Sequence, residues 1–315
     1  MKKKSTNAKS MVIVSDVDNY DFKDNRVLKP LLLNCSEHPE YPMNHAFQHS
    51  DSVKLTKKKT LEYFVPNNIS LLLSNSRTAL NDAEKMYKEF LLEQQDEFKE
   101  DKIDELWHNC FLVSNYIEKI QTSIVFSYTA LEAFANISIP DDFVYISQRN
   151  NKGIKEQFER QAIERWLSLK DKLDSVLPQI YDCNTISKQN FWSQFLQLED
   201  YRNKIIHQKA IESTSFFYEY FKPSIFKVLR VAENIICYFH DVNKVNTSEQ
   251  AQANLMWPWL PGAMTAPVLR NPESILDWKV DHNQPSFKKR FSDRQLAEFD
   301  KLSNQNSQIN KLHNE

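Results

Sequence analysis

Apolar residues recur every three or four positions through most of the middle of the chain, the spacing of one helix face. Leu80, Ala83, Met86, Tyr87 and Phe90 form the first such stripe, in a helical body running from Asn67-Asn68 to Gln95. Asn75 or Ser76 supplies a capping side chain for it. After an acidic break the spacing resumes over residues 101–137, from Leu106, Cys110 and Val113 to Tyr128, Leu131 and Ala135, and Pro140 stops it. A further helix is predicted from Gln157 to Leu177, with Phe158, Ile163, Trp166 and Leu173 on one side. Residues 188–207 predict another, packed through Phe191, Phe195 and Leu198. Residues 215–241 predict an aromatic-rich helix in which Pro223 marks a kink or a fresh start.

The two ends lack this periodicity. Met11–Ser15 and Val27–Leu33 are candidates for short strands, but Pro30, Pro39, Pro42 and Pro66 interrupt anything longer. Beyond Asp241 the chain is polar, then aromatic and proline-rich at Met256–Gly262, which suits an extended packing segment. From about Lys301 it is rich in Asn, Gln and Lys and is expected to be disordered. The organisation read from this is an irregular, mixed extension (1–68), a helical domain (69–241) with an insertion at about 141–188, and an extended tail (242–315).

Composition supports a mainly helical reading. Hydrophobic residues make up 41 % of 315 positions, enough for a substantial core. The chain has only two glycines, Gly153 and Gly262, which argues against a large β-architecture built on tight hairpins. A net charge of −2 gives no global attraction to nucleic acid, so RNA binding would need a local basic cleft. A protein partner is equally compatible. Lys57-Lys58-Lys59 reads most simply as a solvated patch. Cys35, Cys110, Cys183 and Cys237 are widely spaced and read as buried free thiols of a cytoplasmic protein. His38, His45 and His49 match no ligand spacing and are expected on the surface, so no metal or cofactor is predicted. The basic N-terminus is followed by no apolar run of useful length, and no stretch approaches twenty apolar residues. Neither a signal peptide nor a membrane span is expected.

The chemistry concentrates at Tyr201–Gln208. Arg202 is a fixed cation that can hold a phosphate through two parallel hydrogen bonds. His207 can exchange a proton near neutral pH, and Asn203 can orient either neighbour. These groups suffice to break a phosphodiester without a metal. On an ideal helix Asn203 and His207 lie one turn apart, whereas Arg202 and His207 are separated by about 140° around the axis. A helix ending near His207 would narrow that gap. By spacing alone, a surface Arg and a half-buried His are the more ordinary reading. Upstream, Glu132 is the only charged side chain between Lys119 and Asp141. It either pairs with Arg202 or His207, or is exposed or bridged to another cation.

Arg202-Asn203-x-x-x-His207 resembles the Arg-x(4–6)-His signature of the HEPN superfamily, in which Asn, Asp or His often follows the Arg. Phe126–Asn136 resembles a helix that precedes the motif in many members and often carries an acidic residue, here Glu132. The likeness covers roughly residues 70–241. It implies an all-α bundle that commonly dimerises, with the Arg and His of two protomers meeting in one cleft. In active members it implies metal-independent RNA cleavage, in toxins and antiviral defence effectors. Arg202, His207 and Asn203 are then the catalytic set with Glu132 ancillary, RNA the substrate, and a regulatory protein a further partner. The competing expectation is a non-catalytic helical dimerisation or protein-interaction module. There Arg202 pairs with Glu132 or Asp200, and Trp257 and Trp259 form the docking element. No Gly-rich phosphate loop supports nucleotide binding.

Overall fold

A computed structural model of the chain describes residues 10–16, 24–33, 44–92, 102–147, 155–207, 215–243, 255–260 and 269–270. It divides into two units, one of residues 1–70 with 245–315 and one of residues 71–244. The described residues are mostly helical.

The helical unit is built on α1 (Asn68–Met86, extended by a π-type turn at Tyr87–Leu91), α2 (Lys102–Ile137), α6 (Trp192–Ile206) and α8 (Ile225–Val242). The second half of α2 is its axis. Tyr116, Ile120, Ile124, Leu131 and Phe134 recur at helical spacing and are fully buried. Phe134 meets Phe239 of α8 at 5.9 Å between ring centroids. On α6, Phe195, Leu198 and Tyr201 are buried at three-residue intervals. Polar contacts fix the neighbours: Ser76 of α1 donates to the Ser123 carbonyl at 3.1 Å, and the Arg77 guanidinium holds Glu233 of α8 at 2.7 Å. The short α7 (Phe217–Tyr220) ends before Pro223, and α8 begins afresh beyond it.

The cap of α1 is Asn67, not Asn75 or Ser76. Its Oδ1 accepts from the Ser70 N–H at 3.0 Å, and its amide nitrogen donates to the Met256 carbonyl at 2.7 Å. Asn67→Ala is expected to cost about 1–2 kcal/mol, from a lost cap and an acceptor left unpaired. Equilibrium urea unfolding reads this directly.

The insertion is not one helix. It opens with a two-stranded antiparallel hairpin, β5 (Val144–Ile146) and β6 (Gln157–Glu159). Then come α3 (Arg160–Trp166), α4 (Leu169–Asp171), a π-type turn and α5 (Leu177–Ile180). The break falls at Leu167 and Ser168, which are extended, and the Ser168 hydroxyl caps a new start by accepting from the Asp171 N–H at 3.1 Å. Lys172 is buried here, donating to Asn136 at 2.9 Å and the Glu164 carbonyl at 2.8 Å.

The N-terminal stretch, expected to be mixed with short strands at Met11–Ser15 and Val27–Leu33, forms a sheet. Strand β3 (His45–Lys54) pairs antiparallel with β1 (Ser10–Asp16), β2 (Leu31–Leu33) and β4 (Thr60–Phe64). Of the two expected segments, β1 covers the first and β2 the end of the second. The tail contributes β7 (Leu269–Arg270), parallel to β2. The prolines did not exclude this because Pro30 and Pro66 stand outside β2 and β4, at strand ends. His45 is buried in β3 and His49 is half-buried, so they are not surface histidines. Lys57–Lys59 lie exposed in the β3–β4 turn. Trp257 is fully buried, which removes it as a docking element, and the Lys29 amine sits 5.5 Å from the Trp259 ring. Burial pushes that amine down to about 7. His38, Cys35 and the segment from Lys301 lie outside the described residues.

No helix among the described residues is long and apolar enough to cross a membrane. No group of three or more His, Cys, Asp or Glu among them could hold a metal ion. Cys183 and Cys237 are half-buried free thiols, but Cys110 is exposed on α2, against expectation.

Candidate active site

The apolar face of α6 turns Phe195, Leu198 and Tyr201 inward, which leaves Glu199 and Arg202, one turn apart, at the edge of the buried face. Tyr128 of α2 lies between them. Its hydroxyl donates to Glu199 Oε1 at 3.3 Å, and its ring sits 5.1 Å from the Arg202 guanidinium carbon. At that distance the contact is a cation–π interaction. Burial, and then the Glu199 carboxylate, raise the Tyr128 phenol above its usual range, so it stays a hydrogen-bond donor.

Arg202 Nη1 donates to Asn203 Oδ1 at 3.1 Å. No hydrogen bond joins Nε or Nη2 to another described residue. Two donor nitrogens of this half-buried cation, with three N–H groups between them, therefore remain for a ligand. The helix ends at His207, whose backbone leaves helical geometry at φ −116°, ψ 41°, while its N–H still donates to the Asn203 carbonyl at 2.9 Å. The His207 side chain is exposed. Lys204 adds a second cation on the same turn, tied to Asp200 at 2.6 Å.

The structure thus joins Arg202 and Asn203 by side chains, and Asn203 and His207 through the last backbone bond of α6. No hydrogen bond links the His207 imidazole to Arg202, Asn203 or Glu132 among the described residues. Glu132 is exposed one turn beyond Tyr128 on α2 and makes no ion pair there with Arg202 or His207. Its charge acts on Lys172, whose amine is lowered chiefly by burial and lifted in part by Glu132. Asp200 is taken by Lys204, so neither carboxylate expected beside Arg202 is its partner. Tyr128, which contacts Arg202, and Glu199, which holds the Tyr128 hydroxyl, were not singled out from the sequence as site residues. The available signal was spacing: Glu199 precedes Arg202 by three residues, and Tyr128 precedes Glu132 by four.

No family model matches this chain, and no curated protein or solved structure is detectably similar to it.

Proposed function

We propose that the chain is a metal-independent endoribonuclease of HEPN type. The observation that carries this reading is an Arg202 guanidinium held 5.1 Å from the Tyr128 ring, with Nε and Nη2 unused among the described residues, five positions before the exposed His207 where α6 ends. Arg202 binds the scissile phosphate and neutralises the charge that grows on its oxygens. His207 takes the proton of the ribose 2′-OH, whose oxygen attacks phosphorus. The bond to the 5′-oxygen breaks, and that oxygen receives a proton. Asn203 holds the guanidinium at its side. Acid and base are needed in one step, so a second His207 from a dimer supplies the other role. The products are a 2′,3′-cyclic phosphate and a 5′-hydroxyl, and DNA is not cut. Incubation of the purified chain with RNA in EDTA, with the new ends identified by mass spectrometry, tests this. Cleavage that needs a divalent metal, or none at all, overturns it. In the cell we place such an activity in the cytoplasm, as a toxin or antiviral effector gated by a protein partner.

A second reading, a non-catalytic dimerisation or protein-interaction module, is favoured by one observation, the exposed Ile103, Leu106, Trp107 and Phe111 at the start of α2. Wild type that never cleaves RNA but still associates through that face supports it.

A further inference from the structure

Among the described residues β1 pairs with β3 only as far as Ser50, and β3 then continues with β4 alone. The result is a two-stranded arm in which every residue from Ser52 to Phe64 is exposed. Strand pairing sets its two faces. Val53 stands opposite Leu61, and Asp51 opposite Tyr63, on one face. Lys54 stands opposite Thr60, and Ser52 opposite Glu62, on the other. Val53, Leu61 and Tyr63 are 41 %, 45 % and 37 % exposed. At the tip, the Thr56 hydroxyl accepts from the Lys58 and Lys59 N–H groups at 3.3 and 3.1 Å, which holds the turn that presents Lys57, Lys58 and Lys59.

The lysines alone would be an ordinary solvated turn. A two-stranded hairpin with no packed face is marginal in water, however, and this one shows solvent an aliphatic and aromatic face. Nor are the lysines a guard against edge pairing. Guarding charges lie on the edge strand itself, whereas Leu61, Tyr63 and Phe64 are exposed on β4 and three of the four lysines lie in the turn.

We infer that this arm binds single-stranded RNA, the lysines taking its phosphates and Tyr63 stacking on a base. Charge complementarity selects the occupant. From Lys54 to Thr60 the chain carries four lysines and no acidic residue, in a protein whose net charge of −2 gives no attraction of its own to a polyanion. Basic groups that follow a backbone, beside an aromatic side chain that receives a base, are what a single strand requires. Lys59 and Tyr63 are four residues apart, ~13 Å at ~3.3 Å per residue, so one short strand reaches both. A duplex keeps its base faces inside its own stack and would meet the lysines alone. A lipid surface would take the apolar face flat and press Asp51, on that same face, against its phosphates. A strand running along β4 from Tyr63 to the turn leaves Asp51, on β3, to one side. That the strand is RNA rests on the nuclease reading, whereas the binding rests on the arm alone.

Fluorescence anisotropy of the full chain with a short labelled 2′-O-methyl RNA, which 2′-OH chemistry cannot cut, tests this. Wild type should bind it, a single-stranded DNA of the same sequence comparably, and an RNA duplex more weakly. Lys57→Gln with Lys58→Gln and Lys59→Gln should weaken binding at least about tenfold. The slope of log affinity against log salt should fall by about 2, at ~0.7 per phosphate contact on a single strand. Tyr63→Ala should weaken binding about 5- to 100-fold, and Tyr63→Trp should keep it, which a merely structural role would not produce. Thermal unfolding should not change, because all four side chains are exposed. A wild type that does not bind, binding that these changes leave intact, or a duplex bound as tightly as the single strand overturns the inference. Arm-dependent binding to phosphatidylglycerol vesicles without RNA binding also overturns it and assigns the arm to a lipid surface. Arm-dependent RNA binding by a chain that cuts no RNA leaves the arm standing and sinks the nuclease reading instead.

Discussion

His207→Ala is expected to slow RNA cleavage by about 10²–10⁴-fold, the usual contribution of a positioned general acid or base. Folding should not change. The His207 side chain is exposed, and what the residue gives the fold is a backbone N–H donated to Asn203, which alanine keeps. The substitution therefore separates chemistry from stability better than most active-site changes do. Initial rates on a fluorogenic RNA, beside thermal unfolding curves, check both halves. A variant that melts like wild type and cuts like wild type removes His207 from the mechanism. A variant that melts much earlier would show that the imbrication of His207 in the fold is tighter than its exposure indicates. His207→Gln would then be compared, since it keeps the length and one hydrogen-bonding group without a titratable proton.

The helices were legible where a sequence period had something to pack against. The apolar spacing of α2, α6 and α8 states both that they are helices and which face is inward. For α2 the same spacing misled in its first half, because Leu106 and Cys110 continue the stripe yet are exposed. Periodicity reports a face and cannot report its occupant. Strand β3 was illegible for the opposite reason. His45, Gln48 and Ser50 are polar yet buried, so no alternation of apolar and polar residues marks the strand. Beside it, β2 is completed by β7, which arrives more than two hundred residues later. The insertion broke at Ser168, where Ser168-x-x-Asp171 is a local capping signal that the longer apolar stripe obscured.

The candidate site divides in the same way. Arg202, Asn203 and His207 were readable because their relation is local to one helix end. Glu199 and Tyr128 were not, since the contact between them joins positions 71 residues apart on two helices. Glu132 drew notice as a lone charge on an apolar stretch, but such a stretch still has a solvent edge, and Glu132 occupies it. What a helix needs at its core is written in its period, whereas what a side chain meets across a helix pair depends on how the pair is set.

That tertiary contact underlies the second large effect. Arg202→Lys is expected to lower the maximal cleavage rate by about 10²-fold, and Arg202→Ala by about 10²–10³-fold, as for loss of one oriented donor to a developing oxyanion. A lysine keeps the charge, so a site that used Arg202 only as a point charge would tolerate it. The geometry argues otherwise. The guanidinium sits 5.1 Å from the Tyr128 ring with Nη1 on Asn203, which leaves Nε and Nη2, the two donor nitrogens of one planar edge, for a phosphate. An ammonium on a flexible stem cannot reproduce that fork. The loss should fall on kcat, with the RNA dissociation constant moving only a fewfold, because the fork matters most when charge accumulates on the phosphate oxygens. Single-turnover rates at saturating enzyme, set against RNA binding measured with a 2′-deoxy substitution at the cleavage position, separate the two. Equal weakening of binding with an unchanged saturated rate would make Arg202 a phosphate anchor and return the transition-state role to another cation of that turn, Lys204 being the nearest in sequence.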